Sequence, residues 1–588
     1  MKLGSLLAGM PRSSAEHLRA FSGQGDSCSG PEPGSCGDAV SGLVLRLASA
    51  QALADCLERL KPWMRQVLKI VIRKFGSLPF EENGLEQAAL EEGLSGAHVK
   101  SALLAMRRCG IVFALRKAWR EELLVIPEEA LPVWVSLLFP GALTEAADSM
   151  QERGESVGEA GCAAYDVLYL MHMADNGQLK TTRQGELAKP ALRKLQEGLA
   201  VSGEEAGLCP EKQVLRMARS SGLLAERPAA SGLQPSVAAL VSWLSRSVAD
   251  VQRELYGHWK QTGSDEAEAW QLIASACIEQ AAPNRWYRLD LLFEWLRDCG
   301  MIKDIADNLQ QDFVRSCLIP MQAFGWIRLL LLDGCLAFSI PFSLSGESGQ
   351  AADGYDGFIV QSDLEIVVPP YPPLSLLWEL LNWSELASRG QISVFRLTGN
   401  SVRRAAERGI AADSINRILQ RHSLVPVEPA VTLAVKEWCG GREQGAECSA
   451  MFILAEKQAT GDGEMGQDIA GRVPLEEARA PELACLPVPA AASAEAAAAL
   501  WKDVPVAWWR TPARYHPSTE KELARKAIER KAMLGLTRGA SVEERVVPLS
   551  LREAENGWRM EAMLGTGRIS LQPGDWTQIR LVIPGMND

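Results

Sequence analysis

Nowhere does the sequence contain GxxxxGK[ST], the loop whose backbone N–H groups and Lys hold nucleoside phosphates. No phosphate-loop motor is therefore expected within these residues. Asp265–Glu268 spell DEAE, the letters of a Mg²⁺-binding helicase box, but they follow QTGS instead of an apolar strand. HExxH and GxSxG are also absent, which removes the common zinc-protease and serine-hydrolase patterns. The six histidines (His17, His98, His172, His258, His422, His516) are far apart in sequence. The thirteen cysteines are an odd number and form no CxxC pair. A zinc site or a disulfide framework needs closer organisation, so reduced and mostly buried thiols are expected. No apolar run reaches the ~20 residues of a membrane span, and MKLGSLLAGMPRSS makes a poor signal peptide. The expectation is a cytoplasmic, non-enzymatic protein with no catalytic residue, metal, cofactor or membrane partner.

What is present fits a soluble globular chain. Hydrophobic residues are 47% and charged residues 23% of the total. At 588 residues several domains are expected. The net charge of −12 disfavours indiscriminate nucleic-acid binding and leaves room for a local basic surface. The fold class expected is mainly α with small β elements (α+β).

Residues 1–45, rich in Gly, Ser and Pro, read as a disordered leader whose removal spares the fold. Residues 46–150 read as winged-helix-like. Met64, Val67, Leu68, Val71 and Phe75 make one helical face, GLEQAALEEGL is a second helix, Ser95 caps a third and Gly110 stops it. IVFAL and ELLVI then form a hairpin around RKAWRE. Winged helices often set the third helix in a DNA groove and the wing on a backbone. That makes Arg116, Lys117 and Arg120 candidate nucleic-acid contacts, although many winged helices bind only proteins. Residues 160–250 repeat the theme less clearly and hold a basic cluster of Lys180, Arg183, Lys189, Arg193 and Lys194. Residues 251–345 give a third winged-helix-like pass, with a hairpin at Asp333-Gly334.

Residues 356–440 organise the rest. FIVQSDLEIVVPP gives two strands stopped by Pro369 and Pro370. LSLLWELLNWSELASRG reads as one helix ending at Gly390. ISVFRLTG is a strand ending at Thr398, a good N-cap for the helix that closes at Gly409. A further short helix covers SINRILQRHS. Val402, Ala405 and Ala406 make one apolar stripe, with Arg404 and Arg408 opposite. Ile415, Ile418 and Leu419 make the next, with Arg417 and Arg421 opposite. With Arg403 these are the main candidate nucleic-acid contacts. The same pattern also fits ordinary amphipathic helices with solvated arginines.

The order FIVQSDLEIVVPP, ELASRG, VFRLTGNSVRRAAERGI, SINRILQRHSLVPVEPAV resembles the N-terminal domain of XPB-type DNA repair helicases. Bacteria carry that domain in helicase-associated proteins that lack the motor. The resemblance implies a position beside a DNA-translocating ATPase, with DNA or a separate XPB-type helicase chain as partner. The residues by themselves indicate a compact βαβαα unit.

Residues 441–500 read as linker, with SAMFILAEKQ as a last strand of the preceding domain. Residues 501–588 read as a small α/β unit whose helix opens with a Thr519–Glu522 capping box. Its layout is similar to the small ligand- or nucleic-acid-sensing WYL domains. Three functions follow as expectations. The first is a non-catalytic helicase-associated accessory protein that binds DNA, a helicase partner, or both, in repair or transcription. The others are a protein–protein adaptor and a ligand-sensing transcriptional regulator.

Overall fold

A computed structural model describes the chain from Leu3 to Asn587. The longest stretches outside the described residues are 19–46, 146–154, 200–208, 345–354, 441–449, 454–483 and 488–500. The class is α+β, helices accompanied by several small sheets. Among the described residues no helix is long and apolar enough to cross a membrane.

After α1 (Leu3–Ala8) and α2 (Ala50–Arg59), a single arrangement occurs three times. It first comprises α3 (Pro62–Phe75), α4 (Glu82–Glu91), α5 (Gly96–Arg108) and the hairpin β1 (Phe113–Arg116) and β2 (Glu122–Val125). After α6 (Leu131–Leu138) and β3 (Glu155–Ser156) come α7 (Ala163–Asp175), α8 (Lys189–Gly198), α9 (Pro210–Ser220) and the hairpin β4 (Leu224–Glu226) and β5 (Leu233–Pro235). The helices α10 (Val237–Leu244) and α11 (Val248–Thr262) lead to the third occurrence. That has α12 (Ala269–Glu279), β6 (Tyr287–Arg288), α13 (Leu289–Asp298), and α14 (Asp307–Phe313) running through a π turn (Val314–Leu318) into α15 (Ile319–Ala323). Its hairpin is β7 (Arg328–Leu332) and β8 (Cys335–Ser339).

The likeness extends to single hydrogen bonds. In each module a residue between the first and second helices bridges to the second half of the hairpin: Phe80 to Leu124, Lys180 to Gly232, Tyr287 to Phe338. In each the third helix ends on a left-handed glycine, Gly110, Gly222 or Gly325, with φ of 70°, 67° and 79°. The next residue then donates back five positions: Ile111 N to Met106 O at 2.9 Å, Leu223 N to Ala218 O at 3.0 Å, Trp326 N to Met321 O at 2.9 Å. Glycine meets the positive φ without the Cβ penalty, and the backward bond satisfies a helix-end carbonyl.

One apolar core runs through all three modules and on into the next domain, including Val67, Leu168, Ile273 and Ile366. Buried Gln252 on α11 links the second module to the third. Its Oε1 accepts from Ala164 N at 3.1 Å, its Nε2 donates to Phe324 O at 3.0 Å, and its carbonyl accepts from Trp326 Nε1 at 3.0 Å.

The fourth domain is a sheet in the order β11-β12-β10-β9, formed by β9 (Ile359–Val360), β10 (Glu365–Val368), β11 (Glu385–Ser388) and β12 (Ser393–Arg396). Its helices are α16 (Leu374–Trp383), α17 (Gly399–Glu407), α18 (Ala412–His422) and α19 (Pro429–Trp438). A short strand β13 (Ala484–Cys485) returns to the first module and pairs with β1. The last unit is a five-stranded antiparallel sheet, β17-β16-β15-β14-β18, with α20 (Pro517–Glu529) packed on it. Its strands are β14 (Met533–Thr537), β15 (Glu544–Ala554), β16 (Gly557–Leu564), β17 (Gly567–Leu571) and β18 (Gln578–Val582).

Several sequence expectations need correction. The 1–45 stretch is not wholly a disordered leader. Leu3, Leu6, Leu7, Met10 and Leu18 are buried against Phe113, Leu115, Val125 and Cys485, and Leu3 N donates to Glu129 Oε2 at 2.9 Å. WELLNWSELASRG is not one helix. It stops at Trp383, where Ser384 turns extended and its Oγ donates to Leu380 O, and Glu385–Ser388 becomes a strand because β12 is there to pair with it. The 441–500 linker contains ordered pieces. Ala450, Met451 and Ile453 are helical instead of a strand, and the Ala450 and Met451 N–H groups donate to the buried Glu379 carboxylate at 3.0 and 2.8 Å. In the C-terminal unit His516, not Thr519, caps the helix, since Pro517 suits its first turn.

Candidate nucleic-acid interface

The Arg-bearing helices of the fourth domain are held by local chemistry at both ends of α17. Thr398 Oγ1 accepts from Ser401 N at 3.1 Å, and Ser401 Oγ accepts from Thr398 N at 3.2 Å, a reciprocal cap. Gly409, at φ 95°, ends the helix, and Ile410 N returns to Ala405 O at 3.0 Å. Val402 and Ala405 are buried, as are Ile415 and Leu419 on α18. Arg403, Arg404, Arg417 and Arg421 consequently face solvent.

Their surroundings differ. Arg403 and Arg421 make no ion pair or hydrogen bond with a described residue. Arg404 lies 3.5 Å from Glu385 of the neighbouring strand. Arg408 is only half exposed. It pairs with the buried Asp175 at the end of α7 and donates to Asn176 Oδ1 at 2.9 Å. The spacing that puts Arg408 opposite an apolar stripe is correct, but that side of the helix faces the second module. Arg389 plays the same part deeper down, 3.1 Å from Asp166 and donating to Gly198 O at 2.7 Å. Both arginines fasten the fourth domain to the second module.

On the first module Arg116 is exposed and 3.2 Å from Glu122 across the hairpin. Lys117 and Arg120 lie outside the described residues. The third helix of that module is not open along its length. Ala97 N donates to Lys531 O at 2.9 Å, and Lys531 pairs with Glu86, so the C-terminal unit covers the start of α5.

His172 sits where the second module meets the fourth domain, edge-on to Trp378 at 6.1 Å. Burial, then the positive charges of Arg408, Arg404 and Lys194 against that of Asp175, push its imidazole down to about 3. Lys194 of α8 and Arg404 of α17 are thus both close enough to be felt at one ring. Burial and Arg421 also lower His422, whose carbonyl accepts from Phe358 N at 2.9 Å.

Two signals were missed in the sequence. Lys212, Arg216 and Arg219 are exposed along α9, and their i, i+4, i+7 spacing in PEKQVLRMARS was there to be read. Gly461, Gly463 and Gly466 have the G-x-G-x-x-G spacing of a dinucleotide turn. Before them Ala450, Met451 and Ile453 are helical, not a strand, and the glycines lie outside the described residues.

Comparison with known families bears on the fourth domain. Residues 358–442 match a family model described as a helicase conserved C-terminal domain. Over this segment the chain is similar to that helicase family. It begins at buried Phe358 and includes both Arg-bearing helices and α19. No curated protein matches the chain.

Proposed function

We propose that the chain is a non-catalytic, helicase-associated accessory protein that binds duplex DNA, a separate XPB-type helicase chain, or both, in DNA repair or transcription. The observation that carries this is the helicase-type segment at 358–442 in a sequence that has no phosphate loop of its own. The exposed Arg403, Arg417 and Arg421 on that segment supply charge suited to phosphate. Fluorescence anisotropy with a labelled duplex tests the DNA arm. Affinity should fall with salt, with a slope of about −0.9 per phosphate contacted. Recovery of an ATPase with helicase motifs by pull-down from native lysate tests the partner arm. The purified chain alone should hydrolyse no ATP, and a rate that followed mutations in this chain would overturn the non-catalytic reading.

A second reading, a protein adaptor, has its own support. Arg116, Arg404 and Arg408 already face acidic groups within the chain. Leu424, Val425 and Leu433 form exposed apolar positions around the end of α18 and on α19. An adaptor would show no salt slope because it would not bind the duplex.

A further inference from the structure

The three-fold repeat allows one comparison the chain makes within itself. In each module the second and third helices occupy the positions that a helix-turn-helix uses against DNA. In the first module α4 carries Glu82, Glu86 and Glu91 and no basic residue, and the start of α5 lies under Lys531. In the third, α13 carries Asp290, Glu294 and Asp298 against Arg297. The exposed charges along its third helix include Asp312 and Arg315, which offset each other.

The second module is different. Exposed on α8 are Lys189, Arg193 and Lys194, and on α9 Lys212, Arg216 and Arg219. Glu197, paired with Arg193 at 3.2 Å, is the one exposed acidic side chain on either helix, and Glu211 is buried. Val214, Met217 and Ala218 hold α9 to the core, so its basic stripe points outward. Lys212, Arg216 and Arg219 are all exposed. The Arg389–Gly198 and Arg408–Asp175 contacts fix this module to the helicase-type domain and set the end of α8 against Arg389 of that domain.

We propose that the α8–α9 pair of the second module is a duplex-DNA binding surface in its own right, with Lys189, Lys194, Lys212 and Arg216 as its phosphate contacts. The proposal rests on the DNA arm of the function above and adds the site. A protruding helix with a basic stripe fits the wide major groove of B-form DNA, whereas the deep, narrow major groove of an RNA duplex does not admit it. The surface adjoins the helicase-type domain, so one duplex can be held by both.

The test uses the full chain, a labelled random-sequence DNA duplex and a potassium chloride titration. The K189Q/K194Q/K212Q/R216Q variant should flatten the plot of log affinity against log salt by up to about four units. Its melting temperature should stay that of the wild type, since all four side chains are exposed. The K189R/K194R/K212R variant, which keeps the charge, should keep the slope. R403Q/R417Q/R421Q should flatten it by no more than about three units. If the Gln quadruple keeps the wild-type slope and affinity while the Arg403 triple loses binding, the site is overturned and the DNA arm stands. If the wild type binds no duplex at low salt, both are overturned. Equal or tighter binding of an RNA duplex, lost in the Gln quadruple, would overturn the assignment to DNA.

Discussion

Arg389 and Asp166 form an ion pair at 3.1 Å between the helicase-type domain and the second module, with the Asp166 side chain 1% and the Arg389 side chain 12% exposed. The Arg389 guanidinium is one of the groups that compensate this carboxylate, which is far from water. Replacing Arg389 with Ala should cost about 3–5 kcal/mol, because it takes the opposite charge away from a buried carboxylate. R389M/D166L should recover much of the loss, since an apolar pair of similar volume often replaces a buried ion pair at little cost. Urea denaturation of the three proteins measures both effects. A loss in R389A below 1 kcal/mol would mean that the pair is solvated.

His172 makes stability fall on mild acidification. Its folded value of about 3 lies below the ordinary 6.5. Between those limits the unfolded chain binds a proton that the folded chain refuses, so stability rises with pH and is lost as pH drops below 6.5. From pH 6.5 to 5 the loss should be about 1–2 kcal/mol, at ~1.4 kcal/mol per unit. His172→Gln should remove that share of the pH dependence while leaving other groups to titrate. Melting temperatures of both proteins at pH 5 and 7 decide it.

The repeated glycines give a graded pair. A Cβ at Gly222 would meet nothing within 4 Å, so Gly222→Ala bears only the positive φ, about 1–2 kcal/mol. A Cβ at Gly325 would lie 2.3 Å from Gly161 O, adding a backbone clash worth about 1–3 kcal/mol more. Calorimetry should rank G325A below G222A, and the reverse order would contradict the packing at Gly161.

The N-terminal segment is part of the fold. Leu6 is 1% exposed, and Leu6→Ala should cost about 2–5 kcal/mol, as for other buried leucines. Deleting residues 2–18 should lower the first unfolding transition and expose Phe113 and Leu115 to a hydrophobic dye. An unchanged transition would return this segment to the status of a loose leader.

How much of this could be read from the letters depends on how local each signal is. Gly110 and Thr398 mark their helix ends within four residues, and both stand where the sequence places them. The Arg stripes of α17 and α18 follow from helical spacing alone. By contrast, Glu385–Ser388 is spelled like a helix, and only a strand partner eight positions on makes it extended. A six-residue helix such as Leu3–Ala8 has no stability of its own, so nothing in its six letters announces the groove it fills. Arg408 was legible as a surface arginine. Which surface it faces depends on Asp175, 233 positions earlier.

The pairing of β1 with β13 has a consequence for biosynthesis. Leu115 and Arg116 find their partners in Cys485 and Ala484, roughly 370 positions downstream. At about 5–20 residues per second a ribosome needs roughly 20–70 s to reach them. Throughout that interval the nascent first module has its helices and its hairpin but an open β1 edge, a template for any extended peptide nearby. Closure arrives only with the segment that also places Pro487 O 3.0 Å from Arg107. Slowing translation between the two halves should therefore lengthen the vulnerable period and raise the demand for chaperones, while leaving the stability of the finished protein unchanged.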